Sequence, residues 1–282
     1  MNNLKTVALL AFMTTLLWLV AIALFPDGGF VIGLVIAVGF NLLAYFFSDK
    51  LALASSGARP VTEEELPQVY AIVRRLALQK NMPEPRVYLI ESPQPNAFAT
   101  GRSPKKAAVA VTSGILGLLT VDELEGVLAH ELAHISNRDI LISSIAAMIA
   151  AALTMLARMA FWFGGGNNRD NPLGAIGAIL SLIVAPIAAM LIRLAISRTR
   201  EFQADETGAE TTGRPMMLAS ALEKISAGAS KVPMNVNPAT AQLFIENPLK
   251  AFRGRGMMNL LSTHPPTEDR IARLAAMAQG VR

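Results

Sequence analysis

Four long apolar segments interrupt an otherwise polar sequence, and the first two follow each other almost directly. Leu4–Phe25 and Phe30–Phe47 are nearly free of charge and are separated by a Pro-Asp-Gly-Gly turn. At 1.5 Å per residue, each approaches the roughly 30 Å of a bilayer's hydrocarbon core. A signal peptide is the alternative for the first segment, but the segment is too long and a second one follows at once. The pattern predicts two transmembrane helices within residues 1–48.

A second pair of apolar segments, Ile140–Phe163 and Leu173–Ile196, flanks a polar connection rich in glycine and asparagine. Both segments exceed the usual length of a helix buried in a soluble core. Each carries one cation, Arg158 or Arg193, near a segment end, where a long side chain can reach the interface. We expect residues 140–196 to form a second transmembrane hairpin. A buried helical hairpin in a soluble core is the alternative.

Residues 49–139, between the two pairs, have a mixed α and β pattern. An amphipathic helix is predicted from Pro67 to about Lys80, because apolar residues recur at helical spacing after a proline suited to a first turn. Two β-like runs follow, Arg86–Ile90 and Ala107–Thr112, with the turn-rich Pro93–Phe98 between them. These strands either offer an edge to an extended peptide or form an ordinary hairpin.

Beyond residue 197 the chain is predicted to be helical with one irregular stretch. The fourth apolar helix has no clear stop and is expected to continue to about Asp205. A helix is predicted from Pro215 to about Ala227, and a short amphipathic one over Thr267–Ala278 with its first residue as the cap. Residues 228–256 have no clear period, so they are interpreted as a long functional loop or a poorly ordered segment.

The composition agrees with a membrane protein. Of 282 residues, 52% are hydrophobic and only 16% are charged, a more apolar balance than that of typical soluble domains. Of the 25 Lys and Arg residues, 10 lie in residues 49–139 and 11 in residues 197–282. Because cytoplasmic segments of membrane proteins carry the excess of Lys and Arg, both portions are predicted to face the cytosol.

Charge and cysteine usage exclude several other classes. The net charge of +4 comes without a basic run interleaved with aromatic residues, which argues against nucleic acid as a partner and fits contact with anionic lipid. The absence of cysteine excludes disulfides, thiolate ligands and thiol nucleophiles. No phosphate-binding Gly-x-x-x-x-Gly-Lys pattern is present, so no nucleotide is expected.

The segment Val121–Asp139 carries the strongest chemical pattern. Thr120 can cap a helix, and Glu123 three residues later can bond back to it, so a capping box marks the helix start. Further along the same helix the sequence reads His130-Glu131-Leu132-Ala133-His134.

His130 and His134 lie one helical turn apart, so both imidazoles point to one side. Two neutral ring nitrogens in this arrangement suit one zinc ion, and the Glu131 carboxylate beside them can deprotonate a metal-activated water. The pattern alone also occurs in unrelated helices, where the histidines are simply hydrogen-bonded polar side chains. The capped helix, together with two of the chain's three histidines, favours zinc, one ion per chain.

A catalytic zinc site needs a third protein ligand and leaves the fourth position open. The remaining histidine is His264, so the third ligand is either that residue or a carboxylate. Glu201 is the candidate, because it lies on a predicted helix with a second acid, Asp205, one turn later. Glu206 and Glu210 are the alternatives.

Asp205 is then expected to accept the outer N–H of a ligand histidine and fix its tautomer. His264 precedes Pro265-Pro266, where a histidine is as often a turn residue as a catalytic one. If His264 approaches the metal, it can donate to the developing oxyanion of a tetrahedral intermediate.

Taken together, these residues resemble the HtpX-type membrane zinc metalloproteases, bacterial gluzincins related to the CAAX prenyl endopeptidases. The resemblance covers almost the whole chain. Its motifs, in order, are Asn96-Ala97-Phe98-Ala99-Thr100-Gly101, the His130 motif, Ser197-Arg198-x-x-Glu201-x-x-Ala204-Asp205, and His264-Pro265-Pro266-x-x-x-Arg270.

The resemblance implies a mainly α fold with a small β-sheet. The chain would be a multi-pass α-helical membrane protein with a zincin-like metalloprotease domain built from residues 49–139 and 197–282. It implies zinc on His130, His134 and Glu201, Glu131 as general base, and an active site facing the cytosol at a bacterial inner membrane. It also implies that Asn96 and His264 line the substrate cleft, with Arg270 nearby.

The implied role is a stress response: cleavage of misfolded or damaged membrane proteins beside the ATP-dependent membrane protease system. A processing protease for one defined membrane-associated peptide is the alternative within the enzyme class. A catalytically idle membrane scaffold with structural zinc is the alternative outside it, although a scaffold has no need of Glu131.

Overall fold

A computed structural model describes residues 28–146, 148–149, 198–234, 236, 241–248 and 265–280, together with ten residues between 7 and 22. The helices are α1 Gly29–Ser55, α2 Pro67–Gln79, α3 Ser113–Leu118, α4 Val121–Ser136, α5 Arg198–Thr212, α6 Pro215–Lys231 and α7 Thr267–Ala278. The strands are β1 Ala58–Pro60, β2 Arg86–Ile90, β3 Ala97–Thr100 and β4 Ala108–Thr112.

Helix α1 confirms the second predicted apolar helix. Within the described ranges, its residues Phe30–Ser55 form a helix of 26 residues that is long and apolar enough to cross a bilayer. Large apolar side chains such as Val35 and Leu43 are exposed along it. The helix runs eight residues beyond its predicted end at Phe47, because Ala52 and Leu53 continue into an apolar cluster under the sheet.

The other predicted membrane segments fall largely outside the described residues. Only ten positions of Leu4–Phe25 are described. Among them, Thr14 accepts a hydrogen bond from Asn41 Nδ2 at 2.6 Å, which joins this segment to α1. Of residues 140–196, those at 140–146 and 148–149 are described and helical, and the predicted hairpin beyond them lies outside the described ranges.

The sheet has the order β1-β2-β4-β3. Strands β2 and β4 pair in parallel, so the interpretation of these two runs as a hairpin is wrong. Strand β3 comes between them in sequence and pairs antiparallel with β4 at the edge of the sheet. Part of the turn-rich stretch Pro93–Phe98 is therefore strand.

Helix α4 packs against α2, α5, α6 and β3. Apolar side chains from all these layers meet in one core. Leu76 of α2, Val109 of β4, Leu128 of α4, Leu222 of α6 and Leu274 of α7 are all fully buried there. The predicted metal helix is thus held from several sides.

Two glycines allow the helices around α4 to approach its backbone. A Cβ on Gly208 of α5 would lie 2.9 Å from the backbone nitrogen of His130, and one on Gly126 of α4 would lie 3.0 Å from the backbone nitrogen of Leu218. Contacts this short leave no room for a side chain. Gly208 therefore brings α5 directly against the turn of α4 that carries His130.

The C-terminal helices follow the sequence pattern with two differences. Helix α6 extends to Lys231, four residues beyond the predicted end at Ala227. The N-cap of α7 is Pro266 rather than Thr267. The Thr267 hydroxyl instead donates to Glu246 at 3.0 Å, which joins α7 to the described part of 228–256.

Candidate metal centre

The start of α4 is fixed by the predicted capping box, which the structure confirms. The Thr120 hydroxyl accepts from the Glu123 N–H at 3.4 Å, and the Glu123 carboxylate accepts from the Thr120 N–H at 2.9 Å. Ser220 and Lys224 of α6 also donate to this carboxylate, at 2.6 and 2.8 Å. Burial alone would raise the pKa of Glu123, but these hydrogen bonds outweigh it and lower the pKa to about 2.

The two histidines of α4 point at one another as their spacing predicts. Their Nε2 atoms lie 3.2 Å apart, with the rings at right angles. His130 is fully buried and His134 is partly buried. Both inner nitrogens therefore converge on one small volume.

Each histidine has a carboxylate at its outer nitrogen. Asp205 Oδ1 lies 2.9 Å from His130 Nδ1, and Asp139 Oδ2 lies 3.3 Å from His134 Nδ1. A carboxylate at Nδ1 favours the tautomer in which that nitrogen carries the hydrogen. Both Nε2 lone pairs then face each other, an arrangement that is repulsive unless a cation lies between them.

Glu201 completes the cluster from helix α5. Its carboxylate oxygens lie 3.5 Å from His134 Nε2 and 4.0 Å from His130 Nε2. The close approach of α5 at Gly208 brings Glu201 to this position. Glu206 and Glu210, the alternative ligands, are exposed to solvent and are not part of the cluster.

The donor set fits zinc. The three ligand atoms lie within 4.8 Å of one another. With metal–ligand bonds of about 2.0–2.2 Å, the ligand atoms of a tetrahedral zinc site are separated by about 3.3–3.6 Å, and two of the three observed separations are within about 0.1 Å of that range. Two imidazoles with one carboxylate leave the fourth position open, as a catalytic zinc site requires.

The local electrostatics favour a cation at the same place. Burial alone would lower the pKa of His134, but the hydrogen bond that its ring donates to Asp139 and the charges of Glu201 and Glu131 raise the pKa to about 9. The carboxylates around the ring thus draw positive charge towards it.

Glu131 lies in the same pocket, 3% exposed. Desolvation raises the pKa of its carboxyl, while the neighbouring histidines His130 and His134 oppose that rise. The backbone of Ala99 in β3 bonds to this carboxylate. The cavity around these groups has an apolar wall that includes Leu243 and Ile245. Its volume of about 40 Å³ leaves room for an ion and a water molecule.

Arg270 reaches this site from α7 without lining its cavity. Its guanidinium donates to both oxygens of Asp205, at 2.8 and 2.7 Å, and to the Ile245 carbonyl at 3.3 Å. Burial alone would raise the pKa of Asp205, but the charge and hydrogen bonds of Arg270, with a hydrogen bond from His130, lower it to about 2. Arg270 therefore keeps Asp205 ionised beside His130.

Asp139 contacts His134 at the edge of the cluster, and the sequence pattern did not predict this contact. Helix α4 ends at Ser136, and Arg138 then adopts a left-handed conformation with φ 59°. This turn closes with the Asp139 N–H on the His134 carbonyl at 2.9 Å, which is a Schellman motif. The turn returns the Asp139 side chain to His134, whereas a continued helix would point it away. The signal available in the sequence was the position of Asp139, an acidic residue five positions after His134.

Asn96 lies next to the site and is fully buried. Its Nδ2 donates to the Glu246 carbonyl at 2.8 Å, and its Oδ1 accepts from the Glu246 N–H at 3.3 Å. These bonds tie the start of β3 to the segment that forms the cavity wall. Contact of Asn96 or Arg270 with substrate stays a prediction. His264 lies outside the described residues.

Comparison with known proteins places this geometry in a wider group. The family model of Peptidase family M48 matches residues 63–278, which include every residue of the cluster. Among solved structures, the chain is similar to the crystal structure of S. mikatae Ste24p, with a TM-score of 0.51 and 20% sequence identity. The alignment covers 97% of this chain and 64% of that one, so the chain spans about two thirds of the length of its structural neighbour and shares its fold.

Proposed function

The chain belongs to peptidase family M48, and we propose that it is a zinc metalloprotease, an integral membrane endopeptidase that hydrolyses misfolded or damaged membrane proteins. The observation that carries the proposal is the convergence of His130, His134 and Glu201 around the buried Glu131. Membership of a peptidase family argues against an idle scaffold.

The catalytic role of the cluster follows from its donor set. Bound by His130, His134 and Glu201, a zinc ion would polarise the scissile carbonyl and lower the pKa of a water molecule. Glu131 takes a proton from the attacking water and delivers it to the departing amine. Its buried position raises its pKa, which brings the carboxyl closer to the pH at which a group can both accept and donate a proton.

The edge of the sheet supports an extended substrate. Within the described part of the chain, strand β3 has a hydrogen-bonded neighbour strand on one side only. On its other side, the Ala97 carbonyl accepts from the Ile245 N–H at 2.9 Å, and Ala99 faces Glu131. A peptide that adds to this edge near Ala99 would bring its backbone beside the general base. We retain His264 as an oxyanion donor and Asn96 and Arg270 as cleft residues within this proposal.

The membrane placement rests on α1 and on the charge distribution. We propose that residues 1–48 and 140–196 lie in the inner membrane of a bacterial cell. Residues 49–139 and 197–282 then form one protease domain on the cytosolic side of that membrane. The long exposed apolar surface of α1 supports a bilayer around it. The excess of Lys and Arg in the two polar portions supports the cytosolic side.

Mapping of cleavage positions tests the quality-control role. The full-length enzyme, reconstituted in lipid with zinc, is incubated with one membrane protein in folded and in destabilised form. We expect many cut sites in the destabilised substrate, few in the folded one, and none with the Glu131→Gln variant. One fixed cut site in both substrates would instead identify a processing protease. The ATP-dependent protease system remains a proposed partner, for which co-purification from membranes is the test.

A further inference from the structure

Residues 243–248 run along the edge of β3 that faces away from β4, although the sheet of the described residues does not include them as a strand. Four contacts join the two segments at positions that step in opposite directions along the chain. They are the rings of Phe98 and Phe244 with centroids 4.9 Å apart, the Ile245 N–H on the Ala97 carbonyl at 2.9 Å, the Asn96 side-chain amide on the Glu246 carbonyl at 2.8 Å, and the Gln94 side-chain amide on the Pro248 carbonyl at 2.9 Å. This is the register of an antiparallel strand pair. We call residues 243–248 the edge segment.

Side chains replace part of the backbone ladder between the edge segment and β3. The Ala97 N–H donates to the Asn96 side chain at 3.2 Å, and the Ile245 carbonyl accepts from Arg270 at 3.3 Å. In a regular antiparallel pair these two backbone groups would bond to each other. The edge segment therefore lies on β3 as an added peptide would, and its release leaves the pairing of β3 with β4 intact.

The same register places the start of the edge segment at the metal centre. Continued by one position, it puts Leu243 opposite Ala99, whose backbone bonds to Glu131. Leu243, Ile245 and Ala99 all line the metal cavity. The edge segment thus occupies the part of the β3 edge beside the general base, where an extended substrate is proposed to bind.

The metal cavity is too small for a peptide while the edge segment is in this position. Its volume is about 40 Å³, whereas sites that enclose small molecules measure about 300–1,000 Å³. Leu243 and Ile245 are 8% and 2% exposed, so these side chains close the metal centre on their side. One wall of the cavity must move before a scissile bond can reach the metal.

A second wall of the cavity is less suited to move. It belongs to the helical residues 140–146. Asp139, just before them, contacts His134 at 3.3 Å, and Ser144 shares a buried hydrogen bond of 2.8 Å with Thr100. Movement of this helix would disturb a histidine of the cluster, whereas movement of the edge segment frees the edge of β3.

We propose that the edge segment is an autoinhibitory strap, which occupies the place of the substrate along β3 until an extended polypeptide displaces it. The inference rests on the proposed proteolytic function. The backbone of the incoming polypeptide takes over the Ala97 carbonyl and continues past Ala99 to the metal centre. A destabilised protein can supply such an extended backbone and a folded one cannot, so the edge segment makes the enzyme selective for unfolded chains.

Helix α7 holds the edge segment in place. The Thr267 hydroxyl donates to the Glu246 carboxylate at 3.0 Å, and Arg270 donates to the Ile245 carbonyl at 3.3 Å. The bonds of Arg270 to Asp205 are shorter, at 2.8 and 2.7 Å. Release of the edge segment can therefore break its contacts to α7 and leave the buried ion pair intact.

A disulfide that fixes the edge segment to β3 tests the proposal directly. The chain contains no cysteine, so Phe98→Cys/Phe244→Cys introduces a single pair. Facing residues next to a hydrogen-bonded pair of an antiparallel register lie within disulfide reach. Both belong to the apolar cluster under the sheet and neither lines the metal cavity, so the bond leaves the cavity itself unchanged.

The oxidised full-length variant should retain its zinc and cleave the destabilised membrane protein at least about tenfold more slowly than the same protein after reduction. The reduced form is the matched control, because it carries the same two substitutions. Equal activity of the oxidised and reduced forms would show that the edge segment is a fixed wall and would overturn the proposal.

Thr267→Val tests the proposal without new cysteines. The substitution removes the hydroxyl that bonds to Glu246, and Thr267 is not the N-cap of α7. The closed position is therefore weakened, and kcat/KM should rise about fivefold. Thr267→Ser keeps the hydroxyl and should behave as wild type does. An unchanged or lower kcat/KM in Thr267→Val would contradict the inhibitory role.

A labelling experiment separates this proposal from proteolysis itself. Phe244→Cys in the Glu131→Gln background carries a thiol at a fully buried position. The destabilised membrane protein should speed the reaction of this thiol with a maleimide about tenfold. Val73→Cys, at a fully buried position of α2, is the control, and its rate should not change.

Unchanged protection at position 244, or equal acceleration at positions 244 and 73, would overturn release of the edge segment even if the wild type cleaves the substrate. Faster labelling at position 244 alone, together with a wild type that cleaves nothing, would support the release and overturn the proposed function instead.

Discussion

Arg270 and Asp205 form a buried ion pair with two parallel hydrogen bonds, of 2.8 and 2.7 Å. The same Asp205 oxygen that accepts the shorter bond also lies 2.9 Å from Nδ1 of His130. A similar arrangement exists at His134, where Asp139 lies between the ring and Arg200, whose Nη1 is 3.5 Å away. Each histidine therefore has a carboxylate at its outer nitrogen with an arginine beside it. Arg270 hydrogen-bonds to Asp205, whereas Arg200 lies at ion-pair distance from Asp139.

Asp139 should matter for metal affinity rather than for folding. In Asp139→Asn the weaker acceptor holds the His134 ring less firmly, and we expect zinc affinity to fall about ten- to hundredfold. Competition with a chelator measures this affinity. Asp122→Asn is the matched control, because Asp122 is exposed in the first turn of the same helix. An unchanged zinc dissociation constant in Asp139→Asn would refute the assigned role.

Glu201 should be the third metal ligand. Glu201→Ala removes a charged donor from the cluster, so the purified variant is expected to lose most of its zinc in elemental analysis. Glu206→Ala on the same helix should retain it, since Glu206 is exposed. If the two variants hold equal amounts of zinc, the ligand assignment is wrong.

Gly208 should set the distance between α5 and α4. A methyl group in Gly208→Ala would meet backbone atoms of His130 and Ala129 at 2.9 and 3.2 Å, so the helices must separate. We expect a loss of about 1–3 kcal/mol in the free energy of unfolding and weaker zinc binding. Gly117→Ala serves as control, because nothing lies within 4 Å of its added Cβ. Unchanged stability together with unchanged zinc affinity in Gly208→Ala would show that Gly208 does not set this distance.

Glu123 should make stability depend on acid pH. Its pKa in the folded protein is about 2, below the ordinary value of 4.5, so its ionised form stabilises the fold above about pH 5. That contribution is lost as the pH falls towards 2. Chemical denaturation should show Glu123→Gln about 2 kcal/mol less stable than wild type at pH 7, with the difference shrinking below pH 4. A difference independent of pH would contradict the assignment.

The parts of the site that depend on local sequence were predictable. The capping box and the spacing of the histidines act within one helix, so the sequence determines them without knowledge of the fold. Glu201 was accessible because the chain has only three histidines and no cysteine, so that the third ligand was either His264 or a carboxylate, and Glu201 lies one helical turn before Asp205.

The parts of the site and the fold that depend on a reversal of the chain or on tertiary pairing were not predictable from the sequence. Asp139 contacts His134 only because Arg138 adopts a left-handed turn, and an arginine gives no sign of that conformation. Strand β3 was missed because its four residues, Ala97–Thr100, are buried on both faces and show no alternation. Strands β2 and β4 run parallel because β3 lies between them in sequence and reverses the direction of the chain before β4.

Glu131 is expected to act as the general base of the zinc site without being a zinc ligand. The most direct test measures bound zinc and peptide-bond hydrolysis together, in wild type and Glu131→Gln. We predict one zinc per chain in both proteins and a loss of activity of at least a hundredfold in the variant. Retained hydrolysis, or loss of zinc together with activity, would contradict it.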